Sequence, residues 1–170
     1  DSNTVGMWIF DNGSGSTITD RKSTHDLTGS SMAWTTSNGY FGRAGDFSAA
    51  GNNASYNDSG GAFNLGSMTV EGFFTTGSSV AGGERVLFSR YDGTTGQYKL
   101  VIDDAGKLYF AVQGSSSGSG MFKATGTTTL AANTRYHFAG TFDGSSAIKV
   151  FVNGVEDGTG TNSEGGMYPH

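Results

Sequence analysis

From Tyr136 to Gly154 the chain reads YHFAGTFDGSSAIKVFVNG. Tyr136, Phe138 and Phe142 fall on one side of an alternating run, and Gly140 leaves space between them. After Asp143-Gly144-Ser145-Ser146 the alternation resumes with Ile148, Val150 and Val152, and Asn153-Gly154 turns the chain again. Alternation at period two marks a strand with one buried face. Asp-Gly and Asn-Gly supply the positive φ values that tight hairpins need. This stretch therefore predicts strand, turn, strand, turn, and any fold for the chain must accommodate that hairpin.

The same grammar runs through the rest. Val5 to Phe10 reads as a first strand, closed by the polar turn Asp11 to Gly15. Brief apolar points follow at Ile18, Leu27 and Met32-Ala33-Trp34, then Ala44 to Phe47, then an Asn-rich loop over Asn52 to Asp58. The centre is clearer. Strands are predicted over Met68 to Thr75, over Arg85 to Tyr91, around Tyr98-Leu100-Ile102, and around Leu108-Phe110-Val112, with Tyr109, Ala111 and Gln113 facing outward. Ser115 to Gly120 reads as a mobile loop, and two short strands are predicted near Met121-Phe122-Lys123 and Thr128-Thr129-Leu130. Strands at roughly ten-residue spacing with turn signals between them indicate a sandwich or barrel. Helix is confined to at most one turn, around Ala131-Ala132.

Composition narrows the function. The 29 glycines are dispersed between apolar runs with no three-residue period, which excludes collagen. Twelve Phe, seven Tyr and two Trp are too many for a disordered chain. Ten Lys and Arg against fifteen Asp and Glu, with no basic cluster, argue against nucleic acid. No apolar run approaches membrane-spanning length, so membrane insertion is not expected. With no cysteine there is neither a disulfide framework nor a thiolate zinc site. A chain of 170 residues is read as one domain spanning residues 1–170.

At this point a resemblance can be stated. Within Asn133 to Val155, His137, Ala139, Thr141, Asp143 and Gly144 match a strand of the form W-x-H-x-A-x-T-x-D-G, with Arg135 in place of the Trp. Phe151-Val152-Asn153-Gly154 matches Y-V-N/D-G. Met68 to Phe74 is similar to F-T-V-E-A-W-V, and Trp8 to Gly15 to an opening strand with an F-D-x-x-G turn. Gly39 to Phe47 supplies the glycine-rich approach to a strand. In this order the motifs resemble laminin-G-like, concanavalin A-like jelly-roll domains. The resemblance implies an all-β fold, a two-sheet antiparallel β-sandwich. It also implies two further strands after the V-N-G turn, the last beside the first strand. The sequence is therefore expected to lack the final one or two strands and to be a fragment of a longer protein, unless a neighbouring chain completes the sheet. The family also implies a structural calcium ion, which carries over to Asp11, Gly45 and Asp46. The alternative is that Asp11 and Asp46 are ordinary turn and strand-end acids.

For chemistry, glucanases of this architecture use carboxylates at alternate positions of one strand, E-x-D-x-x-E, so that acid and nucleophile share a face. Here Glu71 is followed two residues on by Phe73, and no pair forms. No nucleophile elbow, HxxxH or HExxH spacing is present. His137 reads as an outward histidine hydrogen-bonded to a neighbouring strand, and His25 and His170 are given no role. Carbohydrate recognition needs aromatic faces beside polar partners. The outward set Glu71, Phe73, Lys99, Tyr109, Gln113, Arg135 and His137, with the loop residues Tyr91, Asp92 and Asn52, has that mixture. The alternative for each residue is a cross-strand pair that only stabilises the sheet. The expected function is a non-catalytic module binding glycan, on a secreted, cell-surface or virion protein. Two other readings stand beside it: an adhesion or virion-decorating domain with a surface-protein partner, and a fragment of a polysaccharide-degrading enzyme.

Overall fold

A computed structural model describes residues 2–37, 39–40, 42–91, 96–116 and 118–168, and for Tyr91 the backbone alone. Among these residues there are thirteen strands and no helix. The chain divides into two compact units, Asp1–Phe63 and Asn64–His170.

The first unit is built from very short strands: β1 (Thr17–Ile18), β2 (Leu27–Ser30), β3 (Ala33–Thr35), β4 (Ala44–Asp46) and β5 (Asn53–Ser55). They form a three-stranded sheet, β1-β2-β5, and a two-stranded one, β3-β4. Two expectations are corrected here. Val5 to Phe10 is not a strand. Only Trp8 pairs, through an isolated bridge to Asp20, and Phe10 takes φ 52°, which breaks extension. The Asn-rich loop contains β5, whose Asn53 pairs with Ser30. What organises this unit is polar. Asp20 is buried, and its carboxylate accepts N–H bonds from Met7 and Lys22, both at 2.9 Å. Trp8 Nε1 donates to the His25 carbonyl (2.9 Å). The His25 ring lies edge-on to both Tyr56 and Phe63, at 5.1 Å each.

The second unit is a sandwich of two four-stranded antiparallel sheets. Its strands are β6 (Met68–Thr75), β7 (Arg85–Tyr91), β8 (Gly96–Ile102), β9 (Lys107–Gln113), β10 (Met121–Thr129), β11 (Arg135–Phe142), β12 (Ala147–Val152) and β13 (Val155–Thr161). One sheet runs β10-β9-β8-β7, the other β13-β12-β11-β6. The predicted alternation sets the core. Tyr98, Leu100, Ile102, Leu108, Phe110 and Val112 from the first sheet meet Tyr136, Phe138, Phe142, Ile148, Val150 and Val152 from the second. Gly140 sits where the reading of the hairpin put it. A Cβ there would lie 2.5 Å from Phe110 Cγ, so the missing side chain makes room for the ring.

Several features of this unit depart from the sequence reading. The two short strands around residues 121–130 are one strand, β10, with a register shift between Thr125 and Thr129. Asp157 of β13 spans that irregularity, accepting bonds from Thr127 and Thr128. β13 itself was missed. Its inward positions are glycines that bring backbone against backbone. A Cβ on Gly158 would lie 2.1 Å from the Thr125 carbonyl oxygen, and one on Gly160 would lie 2.2 Å from that of Lys123. Within the segment read as a mobile loop, Ser116 and Ser119 are held by Glu164, which accepts from Ser116 N–H (3.1 Å) and Ser119 Oγ (2.6 Å).

Candidate functional site on the β6–β11 face

The outer face of β13-β12-β11-β6 carries the site. Antiparallel register places His137 opposite Phe73, Arg135 opposite Thr75, and Ala139 opposite Glu71. Residues two apart on a strand point the same way. Glu71 and Phe73 on β6, with Arg135 and His137 on β11, therefore share one face. Four of the predicted residues thus lie together on one face.

Turns at both ends fix this arrangement. Before Arg135, the buried Thr76 hydroxyl donates to the Ala131 carbonyl (2.7 Å) and accepts the Thr134 N–H (2.8 Å), which clamps the turn onto the end of β6. Beyond β12, Asn153 and Gly154 take φ values of 51° and 79°, the left-handed pair that a type I′ hairpin requires. Asn153 binds the His137 backbone twice: its N–H donates to the His137 carbonyl (2.9 Å), and its Oδ1 accepts the His137 N–H (3.0 Å). Asn153 was read from the sequence only as a turn former. Its place opposite His137 follows from the hairpin register, which Phe138 opposite Val152 already implies.

Phe73, Arg135, His137, Asn153 and Gly154 line an open depression of about 430 Å³. Phe73 is 50% exposed, so part of its ring is open to the depression. The His137 imidazole packs edge-on to it, with centroids 5.1 Å apart, and His137 Nε2 lies 3.6 Å from Glu71 Oε2. The sequence reading makes His137 an outward histidine hydrogen-bonded to a neighbouring strand; its imidazole is half-buried and faces Glu71 on β6 at a distance longer than a hydrogen bond. The Arg135 side chain is exposed, and no acceptor among the described residues engages its guanidinium. The depression thus offers an apolar face, a cation, an imidazole and an amide.

The remaining predicted residues lie elsewhere. Tyr109 and Gln113 are on β9, in the opposite sheet, so their outer face points away from the depression. They are also not outward in the sense expected: Tyr109 is 3% and Gln113 8% exposed. Long neighbours close over that face. Lys99 Nζ and Lys123 Nζ lie 5.4 and 5.1 Å from the Tyr109 ring centroid, and the Tyr109 hydroxyl donates to Glu84 Oε1 (2.6 Å). That hydrogen bond holds the Glu84 carboxyl below its usual range, while burial and Glu84 together push the Tyr109 phenol up. Lys99 is thereby committed to structure, with an ion pair to Glu84 at 3.4 Å. Asn52 belongs to the first unit and donates to the Asp46 carbonyl. Asp92 and the side chain of Tyr91 lie outside the described residues.

Near the three residues assigned to calcium, the Phe10 and Phe47 rings pack edge-on (5.8 Å), and a Cβ on Gly45 would touch both rings. As arranged, however, the groups do not make a calcium cage. Both Asp11 carboxylate oxygens take bonds from Arg21 Nη2, at 2.7 and 2.9 Å. Asp46 Oδ1 accepts the Ser48 N–H (2.9 Å), and bonds from Ser48 hold its carboxyl below the usual value. A cation already occupies the carboxylate that the ion would need. Among the described residues no group of three or more His, Cys, Asp or Glu could hold a metal.

Comparison with known proteins gives a family. The model described as concanavalin A-like lectin/glucanases superfamily matches residues 47–169. No curated protein and no solved structure matches the chain. Over most of its length, and in the antiparallel sandwich of its second unit, the chain belongs to the concanavalin A-like lectin/glucanase superfamily.

Proposed function

We propose that this domain is a non-catalytic glycan-recognition module of a secreted or surface protein, and that the β6–β11 depression is where the sugar sits. The observation that carries this reading is the half-exposed Phe73 ring beside Arg135, His137 and Asn153 in an open depression. A pyranose presents a C–H face that packs on an aromatic ring and a rim of hydroxyls that need polar partners, and this lining supplies both. The depression is shallow, which suits a polymer passing across a surface.

Hydrolysis is the weaker reading. Both glycosidase mechanisms need two carboxyl groups roughly 5–9.5 Å apart across the scissile bond. Glu71 is the lone carboxylate of β6, its cross-strand neighbour is Ala139, and its Oε2 faces His137 Nε2 at 3.6 Å.

Affinity electrophoresis through gels containing a panel of neutral and acidic polysaccharides tests the proposal. At least one polymer should retard the protein, and Phe73→Ala should weaken that retardation by roughly tenfold or more, the value of a buried aromatic contact. Free migration through every polymer, or a Phe73→Ala variant retarded as strongly as the native chain, would overturn it.

A further inference from the structure

We infer that the glycan recognised at this depression is acidic, with a uronate carboxylate seated on Arg135. The inference rests on the glycan-binding reading of the same site and deepens it. The starting observation is an asymmetry of charge along the face. Glu71 and Arg135 are both exposed and sit at opposite ends of it: Arg135 is level with Thr75, four residues from Glu71 along β6. At about 3.3 Å per residue this separates their backbones by roughly 13 Å. Phe73 and His137 lie between them.

The two charges are not equivalent. Glu71 has His137 Nε2 3.6 Å away, a cationic partner when the imidazole is protonated, whereas no acceptor among the described residues engages the Arg135 guanidinium. Two half-exposed cations of this unit are engaged within the protein. Lys149 bonds Glu156 on the same face (2.7 Å), and Arg85 donates to the carbonyls of Val80, Ala81 and Gly83. Arg135 borders the cavity and Glu71 does not. A sugar ring packed on Phe73 therefore meets a positive group at one edge, with Asn153 as a further polar partner.

The chemistry of the guanidinium selects the anion. Its planar fork gives two parallel N–H bonds to a carboxylate, a stronger and more directional contact than any it makes to a hydroxyl. The net charge of −5 opposes an acidic ligand at long range. Preference for uronate must therefore arise locally, from this single side chain.

The test compares polygalacturonate, polyglucuronate and alginate with the neutral polymers obtained by reducing their carboxyl groups, using the native chain, Arg135→Gln and Arg135→Lys. The native chain should bind at least one uronate polymer roughly tenfold more tightly than its reduced counterpart, as one charge-assisted contact provides. In Arg135→Gln the two forms should bind alike. In Arg135→Lys, which keeps the charge but loses the fork, the preference should be intermediate. Thermal unfolding of each variant confirms that the exposed substitutions leave the fold intact. Equal binding of acidic and reduced polymers by the native chain, or a preference that survives Arg135→Gln, overturns this inference and leaves the glycan reading standing. Failure to bind acidic and neutral polymers alike overturns the glycan reading itself.

Discussion

Gly140 offers a quantitative test of how the sandwich is packed. It lies in the middle of β11 and faces the core. A methyl group at this position would stand 2.5, 2.6 and 2.9 Å from Cγ, Cδ2 and Cβ of Phe110. Carbon atoms pack at about 3.5–4.0 Å, so Phe110 must move by about 1 Å. Phe110 has no exposed surface and nowhere to go. Overpacking of this kind costs about 1–3 kcal/mol. The lower chain entropy of Ala in the unfolded state offsets about 0.4–1 kcal/mol of that. Gly140→Ala should therefore destabilise by about 1–2 kcal/mol. In urea, with a slope of about 1.5 kcal/mol/M, the midpoint should fall by roughly 1 M. A second arm isolates the cause. In a Phe110→Ala background the two ring contacts disappear and only the one to Cβ remains, so the same substitution should cost clearly less, and the two changes should be coupled. An unchanged or raised midpoint for Gly140→Ala in the native background would refute the packing argument.

Other outcomes follow from the same geometry. Gly158→Ala and Gly160→Ala direct a methyl at the Thr125 and Lys123 carbonyls on β10. Backbone cannot step aside as a ring can, so each should lose more stability than Gly140→Ala by urea unfolding. In the first unit, Asp20→Asn sets an amide donor among the Met7, Lys22 and His25 N–H groups, with an expected loss of about 1–3 kcal/mol. Burial pushes the Asp20 carboxyl up, but those N–H bonds outweigh it and hold its pKa below the usual value. Its stabilisation is thus complete above the unfolded value of about 3.9 and disappears as pH falls through the lower folded value. Hydrogen-exchange protection of the Met7 and Lys22 amides should drop over that window in the native chain and be low at all pH in Asp20→Asn. Tyr109→Phe removes the bond to Glu84 on the opposite sheet, and should lower stability by about 1 kcal/mol while leaving polysaccharide retardation unchanged.

The sandwich was legible where side chains alternate. Met68 to Thr75 carries enough apolar and polar residues at period two that even its ends match β6, and Arg85 to Tyr91, an apolar run bounded by Gly83 and Asp92-Gly93, matches β7. The seam between β10 and β13 was not legible, because its inward positions are glycine and its residues are Thr, Gly and Asp. A strand that packs by backbone approach leaves no hydrophobic period to read. The first unit hid for a different reason. Strands of two to four residues are too short to show any period, and its centre is a buried aspartate. At the site, Glu71, Phe73, Arg135 and His137 were visible as outward residues, and cross-strand register brought them together. Tyr109 and Gln113 share the same alternation but belong to the other sheet, and periodicity along one strand cannot tell which sheet a strand joins. It also cannot show that Lys99 and Lys123 would close over a tyrosine.

The most direct test of the central claim is an amide chemical-shift titration with the polysaccharide that retards the protein most. If the β6–β11 depression is the glycan site, the amides of residues 71–75, 135–137 and 153–154 should shift together along one binding curve, and those of β8 and β9 should stay still. Shifts confined to the β7–β10 sheet, or no shift at saturating polymer, would contradict the assignment of glycan recognition to this face.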